Sequence, residues 1–265
     1  WSDVNIIIEP TVAIPYLCSL LYKGNNNKYF KTSVKSVNQA RELDSLLYMP
    51  FYYFNECAGH LLRARKYIGF EDHNKELEFS NNAFISNYFH LKNKGMKVPE
   101  TVEEYLATFS NSIKTKREDI KSWVRSIMTD LQSIFTSNGI EFIDTPHYED
   151  DDLQDIRYFY NDILEELKIS KKAHLFNNDI YTLKATNDRI VSNGETWVIL
   201  TNDKSLINFS KTDYFNVEVP VFEEKRGLFA LYFTYNCLND FTKQLFFGFL
   251  SVKISLNTHY FLKSN

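Results

Sequence analysis

Apolar and polar positions follow two rhythms along this 265-residue chain, one with the period of strands and one with the period of helices. Val4–Ile8 is a nearly unbroken apolar run, as in a strand buried on both faces, and Pro10 stops it. Thr11 to Tyr22 reads as a helix offering Val12, Pro15, Tyr16 and Leu20 to a core, followed by a Gly24-Asn25-Asn26-Asn27 loop. Val37 to Leu47 has the spacing of a short amphipathic helix, and Pro50 is a break. Phe54 to Tyr67 predicts a helix with Leu61, Leu62 and Ile68 on one face and Arg63, Arg65 and Lys66 on the other. Residues 70 to 120 are polar and helical in character. Ile120 to Phe135 is apolar at helical spacing, and Ser137-Asn138-Gly139 has the composition of a C-cap. Ile140–Ile143 is a short strand. The acidic run 149–152 then leads a helix to about Leu167, where negative charge suits the helix dipole. Asn178 is placed to cap a helix opening at Asp179 and ending at Ser192-Asn193-Gly194. Trp197–Leu200 is a strand, and Val217–Phe222 is another, assigned to an edge by Pro220. The aromatic-rich stretch from Leu228 to Leu262 reads as helical.

Strands alternating with helices predict an α/β fold, a central parallel sheet flanked by helices. At 44% hydrophobic the chain can bury a large core. We expect a main domain over residues 1–222, with a helical insertion at about 70–120. A C-terminal extension, 223–265, would pack on the core or form an interface, including one between copies of the chain. The chain opens on Trp1 rather than Met, so its start reads as an artificial boundary or as that of a domain cut from a longer protein.

Charge narrows the function. The net charge of −4 excludes a globally basic nucleic-acid binder, so a polyanion would be met by a local patch or through metal ions. Cys18, Cys57 and Cys237 are far apart and form no zinc pattern, which favours reduced thiols and a cytoplasmic setting. No membrane span or secretory leader is expected.

Candidate chemistry lies in four acids. Glu9 follows the first strand, and Glu56 sits on the helix after Met49-Pro50. Asp179 follows Asn177-Asn178, and Asp203 ends the turn Thr201-Asn202-Asp203 after Trp197–Leu200. A parallel sheet could gather all four at the carboxyl ends of its strands. Clustered carboxylates repel one another and suit a hard cation such as Mg²⁺ or Mn²⁺. Each acid alone has a plainer reading as a helix cap or a solvated residue. His60 and His174 lie near these acids in sequence, and the plainer reading, a satisfied or exposed histidine, is preferred for both. The basic clusters Arg63/Arg65/Lys66, Lys114/Lys116/Arg117 and Lys168/Lys171/Lys172 could meet a nucleic-acid backbone, although a solvated face is the commoner role.

In their order, these segments resemble the PIN-domain nucleases, over roughly residues 4 to 222. The Thr201-Asn202-Asp203 turn with Asp179 upstream carries most of the resemblance, and Pro50 to Glu56 carries some. Glu9 departs from it, because the family usually has Asp there. The resemblance implies a metal-dependent endoribonuclease, as found among toxin–antitoxin toxins, defence proteins and RNA-processing enzymes. Mg²⁺ or Mn²⁺ would be held by Glu9, Asp179 and Asp203 with Glu56 at the edge, and Thr201 would orient Asp203 or a water. Implied partners are RNA, with DNA as the other substrate to consider, and a protein inhibitor or a larger assembly. The competing readings are a catalytically inactive module of the same fold that binds or regulates, and a DNA-directed nuclease or phosphatase.

Overall fold

The central strand of the sheet is β1 (Val4–Ile8), whose apolar run leaves it buried on both faces. The computed structural model describes residues 4–71, 74–115 and 118–209, together with the backbone of 221–225 and 228–231. β1 lies between β2 (Leu46–Pro50) and β4 (Thr196–Leu200), both parallel to it, with Ile6 opposite Leu47 on one side and Val198 on the other. β3 (Ile140–Ile143) extends the sheet beyond β2, and β5 (Val221–Lys225) extends it beyond β4, again in parallel. β6 (Leu228–Leu231) is antiparallel to β5 and completes the order β3-β2-β1-β4-β5-β6.

The helices are α1 (Pro10–Leu21), α2 (Lys28–Glu42), α3 (Phe51–Ala64), α4 (Asn74–Leu77), α5 (Ala83–Asn93), α6 (Val102–Ala107), α7 (Ile120–Ser137), α8 (Gln154–Glu166), α9 (Ala173–Asn193) and α10 (Lys204–Phe209). The expected α/β class with a parallel sheet is what the structure has. The helices between residues 74 and 107 share their apolar face with the rest of the molecule. Phe84, Tyr88, Phe89 and Tyr105 are fully buried, and Tyr105 meets Tyr22, just past α1, at 4.9 Å between ring centroids. α3 and α7 pack through Phe54 against Phe135, edge to face at 5.6 Å.

Four local expectations need correction. The helix expected over Val37–Leu47 runs instead from Lys28 to Glu42, capped by the Asn27 side chain accepting from the Tyr29 amide. Its buried face includes Ser33 and Ser36, whose hydroxyls bond to the Tyr29 and Thr32 carbonyls, so the apolar rhythm understates it. Leu46 and Leu47 belong to β2, reached through Asp44 at φ 55°. The helix expected from Phe54 starts at Phe51, because Pro50 ends β2 and serves as the residue before the first turn. The helix expected to open at Asp179 opens at Ala173, so Asn178 is no cap and Asp179 lies two turns inside. Leu228–Leu231, expected to be helical, is a strand. The expected strand residues 217–220, the rest of the aromatic tail, Lys116, Arg117 and Cys237 lie outside the described residues.

Candidate functional site

From β1 the chain goes outward to β2 and β3 on one side, and from β4 to β5 on the other. The order therefore reverses between β1 and β4, and at such a point the loops beyond the strand ends diverge and leave a crevice. Glu9 and Asp203 follow these two strands. The Glu9 amide donates to the Leu200 carbonyl at 3.0 Å, which ties the two strand ends together.

Glu9 also caps α1. Its Oε2 accepts from the Thr11 amide at 3.0 Å and from the Thr11 hydroxyl, and from the Thr201 hydroxyl at 2.9 Å. Pro15 interrupts the helical bonding of α1, because it has no N–H to give to the Thr11 carbonyl four residues back. That carbonyl instead accepts from the Tyr29 hydroxyl and, at 3.4 Å, from the Asn202 side-chain amide. The Thr11 hydroxyl accepts from the Asn202 backbone N–H at 2.9 Å. The turn carrying Asp203 is thus pinned to the first turn of α1. Thr201 completes it by accepting from the Asp203 amide at 2.9 Å.

Asp179 and Asp203 meet across Lys171, which lies in the connection between α8 and α9. The Lys171 ammonium donates to Asp179 Oδ2 and, at 2.8 Å, to Asp203 Oδ2. It lies 2.9 Å from the Tyr160 hydroxyl, which donates to Asp179 Oδ2 at 2.7 Å. Tyr160 is also 2.7 Å from the Ser205 hydroxyl. Ser205 donates to Asp203 Oδ1 through its amide, at 2.7 Å, and through its hydroxyl. The result is a largely buried polar network in which the two aspartates share one cation.

Glu56 stands on the second turn of α3 and accepts from the Asn178 side chain at 3.2 Å. Its other oxygen is 3.9 Å from His60 Nε2. Burial, with Arg63 and Lys172 adding repulsion, lowers His60 to about 4, so it is neutral at physiological pH and makes no ion pair. Beside Glu56 a cleft of about 400 Å³ opens between α3 and α7. Arg63, Lys121, Arg125 and His174 line it, and all four are exposed. Phe51, half exposed, forms part of its wall. Gly59 makes room there, since a Cβ at this position would come within 3.2 Å of the Arg63 guanidinium. Of the other basic residues singled out, Arg65 lies over the Trp123 ring and Lys66 over the Tyr67 ring.

The four acids feel one another. Burial and then repulsion from Asp203, Glu56 and Asp179 push the Glu9 carboxyl up to about 8. Burial raises Glu56 to about 7 against the Asn178 hydrogen bond, and raises Asp179 to about 6 against the pull of Lys171. Burial works on Asp203 in the same direction, but Lys171 and Ser205 outweigh it and hold that carboxyl below its ordinary value. The two partners of one lysine thus shift in opposite senses, because the Asp179 side chain is 7% exposed and that of Asp203 is 23%. Crowded oxygen donors of this kind suit Mg²⁺ or Mn²⁺. As they stand, the side chains are turned to protein partners, and among the described residues no group of three His, Cys, Asp or Glu converges on a point that would hold an ion.

Thr11, Ser205, Tyr160 and Asn178 enter the site without having been singled out for it, and Lys171 had been noted only as part of a basic cluster. Thr11 and Ser205 each stand two residues after an acid, the spacing of local side-chain turns, and could have been found. Tyr160 and Lys171 reach Asp179 from 19 and 8 residues away, and no local pattern marks them. Among the described residues no helix is long and apolar enough to cross a membrane. No family model matches this chain, no curated protein matches it, and no solved structure matches it.

Proposed function

We propose that the protein is a metal-dependent endoribonuclease of the PIN-like class, hydrolysing phosphodiester bonds at the carboxylate cluster. The observation that carries this reading is the placement of Glu9 and Asp203 at the ends of β1 and β4, beside the switch point of the sheet, with Asp179 meeting Asp203 across Lys171 and Glu56 nearby on α3. Asp179 and Asp203 would hold the cation, with Glu9 contributing Oε1, which accepts no hydrogen bond among the described residues, and Glu56 at the edge. A divalent ion bound there would polarise the phosphate and ionise a water. The protein's own residues do the rest. Thr201 keeps Asp203 and Glu9 in register. Arg63, Lys121 and Arg125 make no salt bridge among the described residues, which leaves them free for backbone phosphates as a strand passes Glu56. The half-exposed Phe51 ring offers a stacking surface for a base.

The test is cleavage of a panel of RNA and DNA strands with Mg²⁺ or Mn²⁺, with EDTA as control. The parent should cut RNA and stop on chelation, and Asp203→Asn should not cut. Unaltered cutting by Asp203→Asn would remove this site from the reaction.

A second reading has its own observation in Lys171, whose ammonium already answers two of the acids. A scaffold of this fold that binds or regulates without cutting would keep such a lysine permanently in place. No cleavage by the parent across the panel would favour it.

A further inference from the structure

The geometry points to Lys171 as a tethered counter-ion that a divalent cation must replace, giving the site two forms, lysine-in and metal-in. This rests on the metal-dependent reading above and adds to it a residue that governs when the metal enters.

Three observations carry the inference. First, Lys171 spends its donors on Asp179 Oδ2, Asp203 Oδ2 and the Tyr160 hydroxyl, and an ammonium has three to give. Among the described residues it is the one cation hydrogen-bonded to these carboxylates. Second, the two occupants exclude each other. An ion held between the two Oδ2 atoms would sit roughly 2.0–2.6 Å from each. The Lys171 nitrogen already bridges this pair, 2.8 Å from Asp203 Oδ2, so ion and ammonium would claim the same place between the two oxygens. Third, the lysine can leave. It belongs to neither α8 nor α9 but to the connection between them, near Lys168 at φ 54°. Its side chain is four methylenes long, and the adjoining Lys172 and Ala173 are exposed.

The lysine-in form keeps one buried and one partly buried carboxylate compensated while no metal is bound. An uncompensated buried charge is strongly unfavourable, so the residue that blocks the ion also stabilises the metal-free fold. Once displaced, the ammonium stays tethered at the rim of the site. Its function is to position and to gate. Apparent metal affinity is then reduced by the fraction of molecules in which the lysine is out.

The experiment is calorimetric titration of Mn²⁺ into the whole, chelator-stripped protein, comparing the parent with Lys171→Met and with Lys172→Met as a control. If the lysine is out about a tenth of the time, Lys171→Met should bind Mn²⁺ roughly tenfold more tightly, and Lys172→Met should match the parent. Without metal, Lys171→Met should melt below the parent and recover with Mn²⁺. Should the variant fail to fold, the parent alone suffices. Labelling of Lys171 by an amine-reactive reagent, read by mass spectrometry, should rise several-fold on adding Mn²⁺, while labelling of Lys172 stays constant. Equal or weaker Mn²⁺ binding by Lys171→Met, or labelling of Lys171 indifferent to Mn²⁺, would overturn the exchange and leave the metal site standing. Absence of Mn²⁺ binding in both parent and variant would overturn the metal-dependent reading itself, and the exchange with it.

Discussion

Replacing Glu9 by Gln isolates the charge of the most perturbed acid while keeping its shape. The amide oxygen of Gln can still accept from Thr11 and Thr201, as Glu9 Oε2 does. What changes is ionisation. The Glu9 carboxyl stands at about 8 against an ordinary 4.5, chiefly through burial and then through Asp203 and Glu56. A carboxyl raised on folding binds its proton more tightly in the folded chain, so its contribution to stability is present below pH 4.5 and is lost as pH climbs towards 8. At about 1.4 kcal/mol per tenfold step, the loss has an upper bound of roughly 5 kcal/mol, and a few kcal/mol is the working expectation for a site so tightly coupled. Glu56 and Asp179, also raised, add to the fall in the same window. Urea unfolding in EDTA at pH 5, 7 and 9 measures it. The parent should weaken across this range. Glu9→Gln should nearly match it at pH 5 and exceed it at pH 9. A difference that did not change with pH, or a variant weaker than the parent at pH 9, would refute the account.

Thr201→Val removes the donor to Glu9 and the acceptor for the Asp203 amide together. It should cost about 1–3 kcal/mol in a urea titration, the penalty for orphaning buried polar groups. Asp203→Asn should destabilise, because the carboxylate is held below its ordinary value by Lys171 and Ser205. A loss of about 1–3 kcal/mol, constant from pH 7 down to about 4 and shrinking only as pH falls below the ordinary value of 3.8, checks this by thermal unfolding. Tyr29→Phe should cost about 1 kcal/mol in the parent and less in a Pro15→Ala background, where the Thr11 carbonyl regains a helical partner. The double-mutant cycle reads that difference, and a coupling of zero would dismiss the role given to Pro15.

The fold was legible where one rhythm dominated. β1, β4 and α7 announce themselves because Val4–Ile8, Thr196–Leu200 and Ile120–Ser137 have the spacing their surroundings require. α2 was half hidden, since it buries serines and a threonine that hydropathy counts as exposed. α9 was misread at its start because Asn178 looks like a cap, yet its side chain reaches across to Glu56 instead. In the site, the positions of the acids after strands and on helices were legible, and that much follows from topology. Their partners were not. Whether Asp179 faces a lysine or a metal is decided by Lys171 and Tyr160, which come from another connection and another helix.

The seam between α1 and the Asp203 turn also has a consequence for how the molecule is born. Thr201 reaches Glu9, and Asn202 reaches Thr11, across 192 and 191 residues. A chain growing from its N-terminus builds β1, β2 and β3 while the other edge of β1 still waits for β4. Until then Glu9 has no Thr201, Thr11 has no Asn202, and Lys171 has only one of its two carboxylates. Truncated or half-made chains therefore carry three of the four acids without the site, and any activity the site supports switches on only with the last strand of the central trio and the turn after it. The open edge of β1 is also where such chains would pair wrongly, which makes the arrival of residues 196–203 the step that both finishes the site and closes the sheet against aggregation.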